Sequence, residues 1–249
     1  MPAADIHPAL RDRIVSISVF DNHGGENHVL PSTSAVLGFQ LGGDVHAAGR
    51  RLSRIGITGI QPALRTYTYA PATRSVLVRF APQGAACFGV PASELASRNV
   101  ALDEILAPAR AHDVLARLDA AAEPVQAIAV IERVLLALPF AIDRIVERAI
   151  AMIRPGADEE RQIAAITRAL GISERQLERR FRDRVGMSPK RFASLRRFER
   201  AVQIAAASRS LTHAAVEAGY YDQPHFIRDF RRFAGMTPGA WLRMSASYK

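Results

Sequence analysis

Two similar seven-residue phrases occur in this chain of 249 residues, and their similarity constrains the fold more than any other feature. GMSPKRF spans 186–192 and GMTPGAW spans 235–241, 49 positions later. The same offset, carried upstream without a gap, pairs Phe181 with Phe230 and keeps other apolar and helix-capping residues in register. Two copies are too few for a solenoid, so the sequence indicates one duplicated structural unit.

Each copy predicts a helix, a tight turn and a second helix. In the first copy, EERQIAAITRAL ends at Gly171, a residue able to adopt the left-handed conformation that closes helices. Ser173 then caps ERQLERRFRDRV. In the second copy Gly219, one residue short of the equivalent position, ends the first helix, and Asp222 caps the second. A single copy of this kind is often an amphipathic hairpin with a solvated face, but two copies in register favour paired helix-turn-helix units.

The second helix of each copy has one apolar face and one basic face. In the first copy, Leu177, Phe181 and Val185 recur every four residues and are expected in the core. The opposite face of that helix carries long polar side chains: Arg175, Glu178, Arg179 and Arg182.

A third helix is predicted between the copies, over about 188–207. Ser188 caps it and Pro189 takes its first position. Its ~18 residues would span roughly 27 Å, close to the ~34 Å between successive major-groove faces on one side of duplex DNA. Lys190 and Arg191 lie in its first turn, where the helix dipole disfavours cations, so a phosphate bound there would relieve the conflict.

The positive charge of the chain is confined to one half. Residues 1–138 carry as many acidic as basic side chains, so the whole net charge of +9 falls in 139–249. Only Lys190 and Lys249 are lysines, so nearly all of this charge is guanidinium. Such asymmetry points to a polyanionic partner for the C-terminal half, although a solvated basic face would have the same composition.

The N-terminal half predicts strands followed by helices. β-branched and aromatic runs separated by Gly-, Pro- and Asn-rich turns predict strands at Arg13–Phe20, Ala35–Leu41, Arg65–Ala70 and Ser75–Phe80. Short helices are expected from Pro91 onward. The last of them, EPVQAIAVIERVLLAL, carries an apolar stripe that suits the core or a partner helix: Val125, Ile128, Ile131, Leu135 and Leu138.

Pro139 interrupts the helical pattern and sets the expected boundary between domains 1–138 and 139–249. A helix is predicted directly afterwards, over Phe140–Ile153. The fold class expected is therefore an N-terminal α+β domain and an all-α C-terminal domain.

Composition argues against several kinds of site. The single Cys87 excludes an internal disulfide framework and a multi-thiolate zinc site. His23, His28 and His46 are expected in Gly-rich turns without the H-x-H spacing of a metal-dependent cupin. We therefore expect no metal, no cofactor and no enzymatic activity. With no signal peptide and no apolar run of about 18 residues, a cytoplasmic protein without a membrane segment is expected.

Two stretches of the C-terminal half resemble a known protein family. LGISERQLERRFRDRVGMSPKRF, followed by AGYYDQPHFIRDFRRFAGMTP, resembles the DNA-binding domain of the AraC/XylS family of bacterial transcription regulators over about Phe140–Leu242. The resemblance implies seven helices, with helix-turn-helix units at about 160–186 and 210–235. It implies base contacts from both recognition helices, with these candidates: Arg175, Glu178, Arg179, Gln223, Ile227 and Arg228. Candidate phosphate ligands are Arg182, Ser188, Lys190, Arg191, Arg231 and Thr237.

The chain departs from the family pattern near the second recognition helix. Pro224 stands where the family often has Ser or Gln, and it offers no side-chain donor. Tyr220 and Tyr221 replace the commoner Phe and small polar residue.

A second resemblance covers part of the N-terminal half. VLVRFAPQGAACFGVPASEL, from Val76 to Leu95, resembles a sensor-like domain that often precedes this DNA-binding domain. The resemblance implies a β-rich, cupin-like sandwich followed by helices and does not identify a ligand.

The leading hypothesis is a one-component transcription regulator that binds double-stranded DNA and is controlled by a small molecule or partner at its N-terminal domain. RNA polymerase and a second copy of the chain are further partners compatible with it. The alternatives are an enzyme-like or metal-binding cupin domain fused to a DNA-binding domain, a nonspecific architectural protein, and a dimerising DNA-binding protein without an effector.

Overall fold

Two antiparallel sheets form the N-terminal part of the chain. A computed structural model describes residues 6–96, 98–102, 108–208 and 210–246. The first sheet has the order β1 (Ile14–Asn22), β8 (Thr73–Phe80), β3 (Val36–Leu41), β6 (Ile55–Thr58), β9 (Asn99–Ala101). The second has the order β2 (Gly25–Val29), β7 (Arg65–Tyr69), β4 (Val45–Ala47), β5 (Arg50–Arg51).

The four predicted strands are present as β1, β3, β7 and β8, but most of the second sheet was not predicted. The Gly-rich stretch after β1, expected to be a turn, contains β2, where His28 lies with its Nδ1 2.8 Å from Thr66 Oγ1. His46 lies in β4. The expectation that both histidines occupy turns was wrong. β2 and β5 are mostly exposed, so they lack the alternation that marks a half-buried strand. β4 has only three residues, too few to show that alternation.

Three helices follow the strands or lie between them: α1 (Ala92–Leu95), α2 (Pro108–Asp119) and α3 (Pro124–Leu136). Ile131 and Leu135 of α3 are buried in the first core, as predicted, but Val125 is 71% exposed. The predicted apolar stripe is therefore wrong at its first member. Pro124 begins the helix and Glu123 caps it, which places Val125 in a first turn that faces solvent.

The C-terminal part is all-helical, with seven helices in the described residues after 138. They are α4 (Arg144–Met152), α5 (Glu159–Leu170), α6 (Glu174–Val185), α7 (Pro189–Ser208), α8 (Leu211–Glu217), α9 (Gln223–Ala234) and α10 (Pro238–Ala246). The predicted fold class, β-rich and then helical, is confirmed. In this described part of the chain no helix is long and apolar enough to cross a membrane.

Helix α4 begins four residues later than predicted. Asp143 caps it by accepting hydrogen bonds from the amides of Ile145 (3.0 Å) and Val146 (3.3 Å). Phe140 packs instead against the first core, with the Arg13 guanidinium 5.1 Å from its ring centroid. The capping geometry thus overrides an apolar periodicity that continues upstream of the helix.

Two segments of the sheets contact the helical part. Ile60 is buried within the second core, and the Leu64 amide donates to the Phe233 carbonyl oxygen at 2.9 Å. Thr33 donates to Glu199 of α7 twice, through its amide (3.0 Å) and its hydroxyl (2.7 Å). The chain around 30–35 and 59–65 therefore rests on α7 and α9.

Burial makes the Glu199 carboxylate a pH-sensitive element of this contact. Its pKa is raised above the usual range because burial disfavours the charged form. The hydrogen bonds from Thr33 and the charges of Arg79 and Arg196 oppose this effect without cancelling it. A carboxyl with a raised pKa contributes stability below its unfolded pKa of about 4.3 and loses that contribution as pH rises through the folded value.

We therefore expect Glu199→Gln to flatten part of the pH dependence of stability. The amide keeps an acceptor for Thr33 but does not ionise. The free energy of unfolding of the variant should therefore increase relative to that of the parent as pH rises from about 4.3. Urea unfolding between pH 4 and 8 measures this. The exposed Glu217→Gln on α8 serves as the control. Parallel curves for parent and Glu199→Gln would contradict the assignment.

Candidate nucleic-acid interface

The first candidate recognition helix, α6, is defined at both ends by local hydrogen bonds. Ser173 Oγ accepts from the Gln176 amide (3.2 Å), and Gln176 Oε1 accepts from the Ser173 amide (2.9 Å), which forms a capping box. Gly186 ends the helix in the left-handed conformation, with φ +88°. Its apolar face is fully buried through Leu177, Phe181 and Val185.

The outward face of α6 presents the predicted base-reading side chains. Arg175, Glu178 and Arg179 are all exposed. Arg182, a candidate phosphate ligand, is also exposed and forms an ion pair with Glu178 at 3.5 Å. Solvated pairs of this kind contribute little, so both side chains remain available to another partner at small cost.

The second candidate recognition helix, α9, repeats this design with different side chains. Asp222 caps it by accepting from the His225 amide at 2.6 Å. Its buried face is aromatic, with Phe226, Phe230 and Phe233. Gln223, Pro224 and Arg228 are exposed, whereas Ile227 is half-buried. Tyr221 just before α9 is 93% exposed, so an aromatic ring that was not among the predicted site residues stands beside the helix start.

The candidate phosphate ligands fall into two groups. Arg191 and Arg231 are exposed. Ser188 and Thr237 are half-buried and each caps a helix, by accepting from the amides of Arg191 (3.3 Å) and Ala240 (3.2 Å) respectively. Their hydroxyls can still donate a hydrogen bond to an acceptor outside the chain.

Lys190 is held by a protein carboxylate. Its Nζ lies 2.6 Å from Glu160 Oε1, and this hydrogen bond raises the pKa of Lys190. The unfavourable position of a cation in the first turn of α7 is therefore offset by an acidic side chain of α5. The sequence had suggested a bound phosphate for this role, and an exposed ion pair of this kind can still exchange its carboxylate for a phosphate.

A buried ionic cluster, not predicted from sequence, joins the two units. Arg197 of α7 places Nη2 3.0 Å from Glu159 Oε1 and 3.1 Å from Asp229 Oδ2, and its guanidinium carbon lies 4.7 Å from the Tyr220 ring centroid. Glu159 begins α5 and Asp229 lies in the middle of α9. One guanidinium thus connects the first unit, α7 and the second unit.

Aromatic contacts fix the recognition helices on the same α7. Phe192 of α7 packs edge-on against Phe181 of α6, with centroids 5.8 Å apart. Phe198, almost two turns further along α7, packs against Phe230 of α9 at 5.2 Å. Since α7 is a continuous helix of 20 residues, both recognition helices are held on one rod of about 30 Å.

Within the described ranges, no group of three or more His, Cys, Asp and Glu side chains is gathered as metal ligands would be. Cys87 is buried.

Comparison with known proteins identifies the class of this C-terminal part. A family described as "Helix-turn-helix domain" matches residues 166–244, about a third of the chain. These residues form a helix-turn-helix domain of the AraC type. No curated protein sequence matches the chain.

Several solved structures of ToxT from Vibrio cholerae have a broadly similar chain path. One has a TM-score of 0.49 at 9% identity and covers 92% of this chain and 98% of ToxT. ToxT bound to an unsaturated fatty acid has a TM-score of 0.48 at 10% identity and covers 92% and 95%. ToxT from Vibrio cholerae O395 has a TM-score of 0.46 at 10% identity and covers 94% and 98%. At these values the similarity carries no functional argument.

We expect the ionic cluster to be essential to the helical fold. Arg197→Ala should cost about 3–5 kcal/mol in the free energy of unfolding, because it leaves the buried Glu159 and Asp229 without this guanidinium. Asp229→Ala should cost less, because Arg197 keeps its ion pair with Glu159. The double variant should cost less than the sum, since both single variants remove the same Arg197–Asp229 pair. Urea denaturation measures all three.

The matched control is Arg200→Ala, which removes an exposed arginine from the same helix. It should stay within about 0.5 kcal/mol of the parent. Strict additivity of the two cluster variants would show that Arg197 and Asp229 are not energetically coupled.

Proposed function

We propose that this protein is a sequence-specific DNA-binding transcription regulator, in which residues 139–249 bind DNA and residues 1–138 control that binding. The observation that carries the proposal is the pair of capped recognition helices, α6 and α9, fixed on one linker helix in the half of the chain that holds the entire net charge. A nonspecific architectural protein would need the charge but not two outward helix faces held on one rod.

The proposed base contacts follow from the chemistry of the exposed side chains. Arginine pairs with the O6 and N7 of guanine, Glu accepts from cytosine N4, Gln pairs with adenine, and an aliphatic side chain contacts the thymine methyl. On α6 we assign base reading to Arg175, Glu178 and Arg179, and on α9 to Gln223, Ile227 and Arg228. The first unit therefore offers the larger number of hydrogen-bonding side chains.

The proposed phosphate ligands are Arg182, Ser188, Lys190, Arg191, Arg231 and Thr237. The last five lie at or near the junctions where a recognition helix ends and the next helix begins. Amides at a helix start attract anions, and the two capping hydroxyls lie at these starts. On binding, Lys190 would exchange the Glu160 carboxylate for a phosphate, and Arg182 would leave Glu178 for the backbone.

A cavity between the two sheets is the proposed place for a controlling small molecule. Its volume is about 100 Å³, and its walls combine aliphatic side chains with Gln40, Tyr67 and Tyr69. Apolar cavities of about 150 Å³ hold ligands the size of benzene, so such a ligand would have to widen this cavity. The residues at its edge belong to the segments around 30–35 and 59–65, which contact α7 and α9. A ligand there would therefore press on the helices that carry both units.

Further partners follow from this role. A transcription regulator acts through RNA polymerase, and it would do so in the cytoplasm, where bacterial DNA lies. A second copy of the chain would supply a second pair of recognition helices. A sensor domain used only for dimerisation, without an effector, is the competing version of the proposal, and it predicts DNA binding that no small molecule changes.

The deciding experiment is selection of binding sites by the full chain from random duplex DNA, with and without a panel of candidate metabolites. We expect the recovered duplex to bind with an affinity that falls steeply with salt, because each neutralised phosphate releases counterions and contributes about −0.9 to the log–log slope. Titration from about 50 to 200 mM salt measures the slope. An affinity independent of salt, or no enrichment of any sequence, would contradict the proposal.

Single arginine variants test the assignment of base readers. Arg179→Ala and Arg228→Ala should each relax specificity at a different position of the selected site, by about 1–3 kcal/mol for a bidentate contact to guanine. Repeating the selection with each variant shows which position loses information. The exposed Arg148→Ala on α4, outside both recognition helices, is the control. Uniform weakening on all sequences would instead make both arginines phosphate ligands.

A further inference from the structure

The outward face of the first recognition helix forms one wall of a cleft whose other wall belongs to the N-terminal part. The cleft has a volume of about 800 Å³. On the side of α6 it is lined from end to end, from Ser173 to Asp183, and the set includes the proposed base readers Arg175, Glu178 and Arg179. Pro91 and Ser93, at the start of α1, line the opposite side.

Helix α1 is close enough to touch the end of α6. A Cβ placed on Gly186 would lie 2.7 Å from the Ala92 carbonyl oxygen and 3.5 Å from the Ala96 Cβ. The first of these distances is shorter than a carbon and an oxygen tolerate, so the approach depends on the missing side chain of Gly186. The same glycine also ends α6 in the left-handed conformation.

The equivalent glycine of the second unit has no such neighbour. Gly235 ends α9 with φ +68°, and a Cβ placed on it would meet no described atom within 4 Å. Gln223 and Arg228 on the outward face of α9 are exposed. The two copies therefore share their sequence phrase and their helix ending but differ in what lies against them.

Helix α1 occupies space that DNA would need. A helix with its side chains is about 10–12 Å across, and the major groove is about 12 Å wide and about 8.5 Å deep. A recognition helix in the groove is thus flanked closely by sugar–phosphate walls on both sides. Helix α1 contacts the backbone at one end of α6 and faces the base-reading side chains of α6 across the cleft. The major groove has no room for both helices.

We propose that α1 masks the first recognition helix, so that in this conformation the chain offers only α9 to DNA and engages α6 after α1 has moved away. This inference rests on the proposed function. The contact includes Ala92, Ala96 and Gly186, which carry a methyl side chain or none, so this part of it can give way to binding energy from DNA.

The masking helix is also connected to the cavity between the sheets. The Gly59 amide donates to the Leu95 carbonyl oxygen at the end of α1 (3.1 Å), and Gly59 lines that cavity. A Cβ on Gly59 would lie 2.3 Å from the same oxygen, so the two backbones are in direct contact. A molecule that displaced Gly59 would therefore move α1 relative to α6.

A matched pair of glycine variants tests the masking in the full chain. Gly186→Ala and Gly235→Ala carry the same penalty of a non-glycine residue at positive φ, but only the first pushes against α1. We expect Gly186→Ala to bind the duplex selected by the parent about tenfold more tightly, because the competent fraction of the protein rises. Hydroxyl-radical footprinting should show the same two protected major grooves for parent and variant, with the variant reaching this protection at a lower protein concentration. Gly235→Ala should gain no affinity.

The outcomes separate the masking from the function on which it rests. A Gly186→Ala variant that binds no more tightly than its parent, or a Gly235→Ala variant that gains as much affinity as Gly186→Ala, would overturn the masking and leave DNA binding intact. Failure of the parent and of every variant to bind any duplex would overturn the proposed function, and the masking with it.

Discussion

The arrangement of the C-terminal helices depends on one buried guanidinium. Arg197 lies between the carboxylates of Glu159 and Asp229, with little exposure to solvent on any of the three side chains. Burying such charges costs several kcal/mol per ion, which is recovered only when the partners are correctly placed. The cluster therefore penalises any packing in which α5 or α9 shifts along α7. Apolar contacts alone would tolerate such a shift more easily, since an aromatic side chain can slide over its neighbours.

This constraint explains why a duplicated unit gives a defined interface. The pairs Phe181–Phe192 and Phe198–Phe230 contribute aromatic attraction between α7 and the recognition helices. The ionic cluster fixes where α5 and α9 lie along α7. Together they hold two outward faces in a fixed relation, which a protein needs if it is to meet two stretches of one groove without an ordering cost at each encounter.

Local signals account for what the sequence could predict. The bounds of α5, α6 and α9 and their caps Asp158, Ser173 and Asp222 follow from side chains a few residues away, so the helical units and the exposure of Arg175 and Arg179 are visible in the sequence. Features that depend on residues far apart in the chain cannot be predicted in this way. The polar strand β2 exists because β7 offers it a hydrogen-bonding edge, and the start of α4 depends on a capping carboxylate rather than on periodicity. The contact of Glu199 with Thr33 joins residues 166 positions apart, and no sequence pattern predicts it.

The glycine that ends α6 has a consequence for how this chain can change over generations. A gene duplication would at first have produced two equivalent units, each with a glycine chosen only because it closes a helix. At position 235 that is still the whole requirement, and asparagine, the other residue that adopts positive φ readily, would satisfy it. At position 186 the space that α1 takes up has added a second requirement, which asparagine does not meet. Two residues with a common origin are thus no longer equally free to drift.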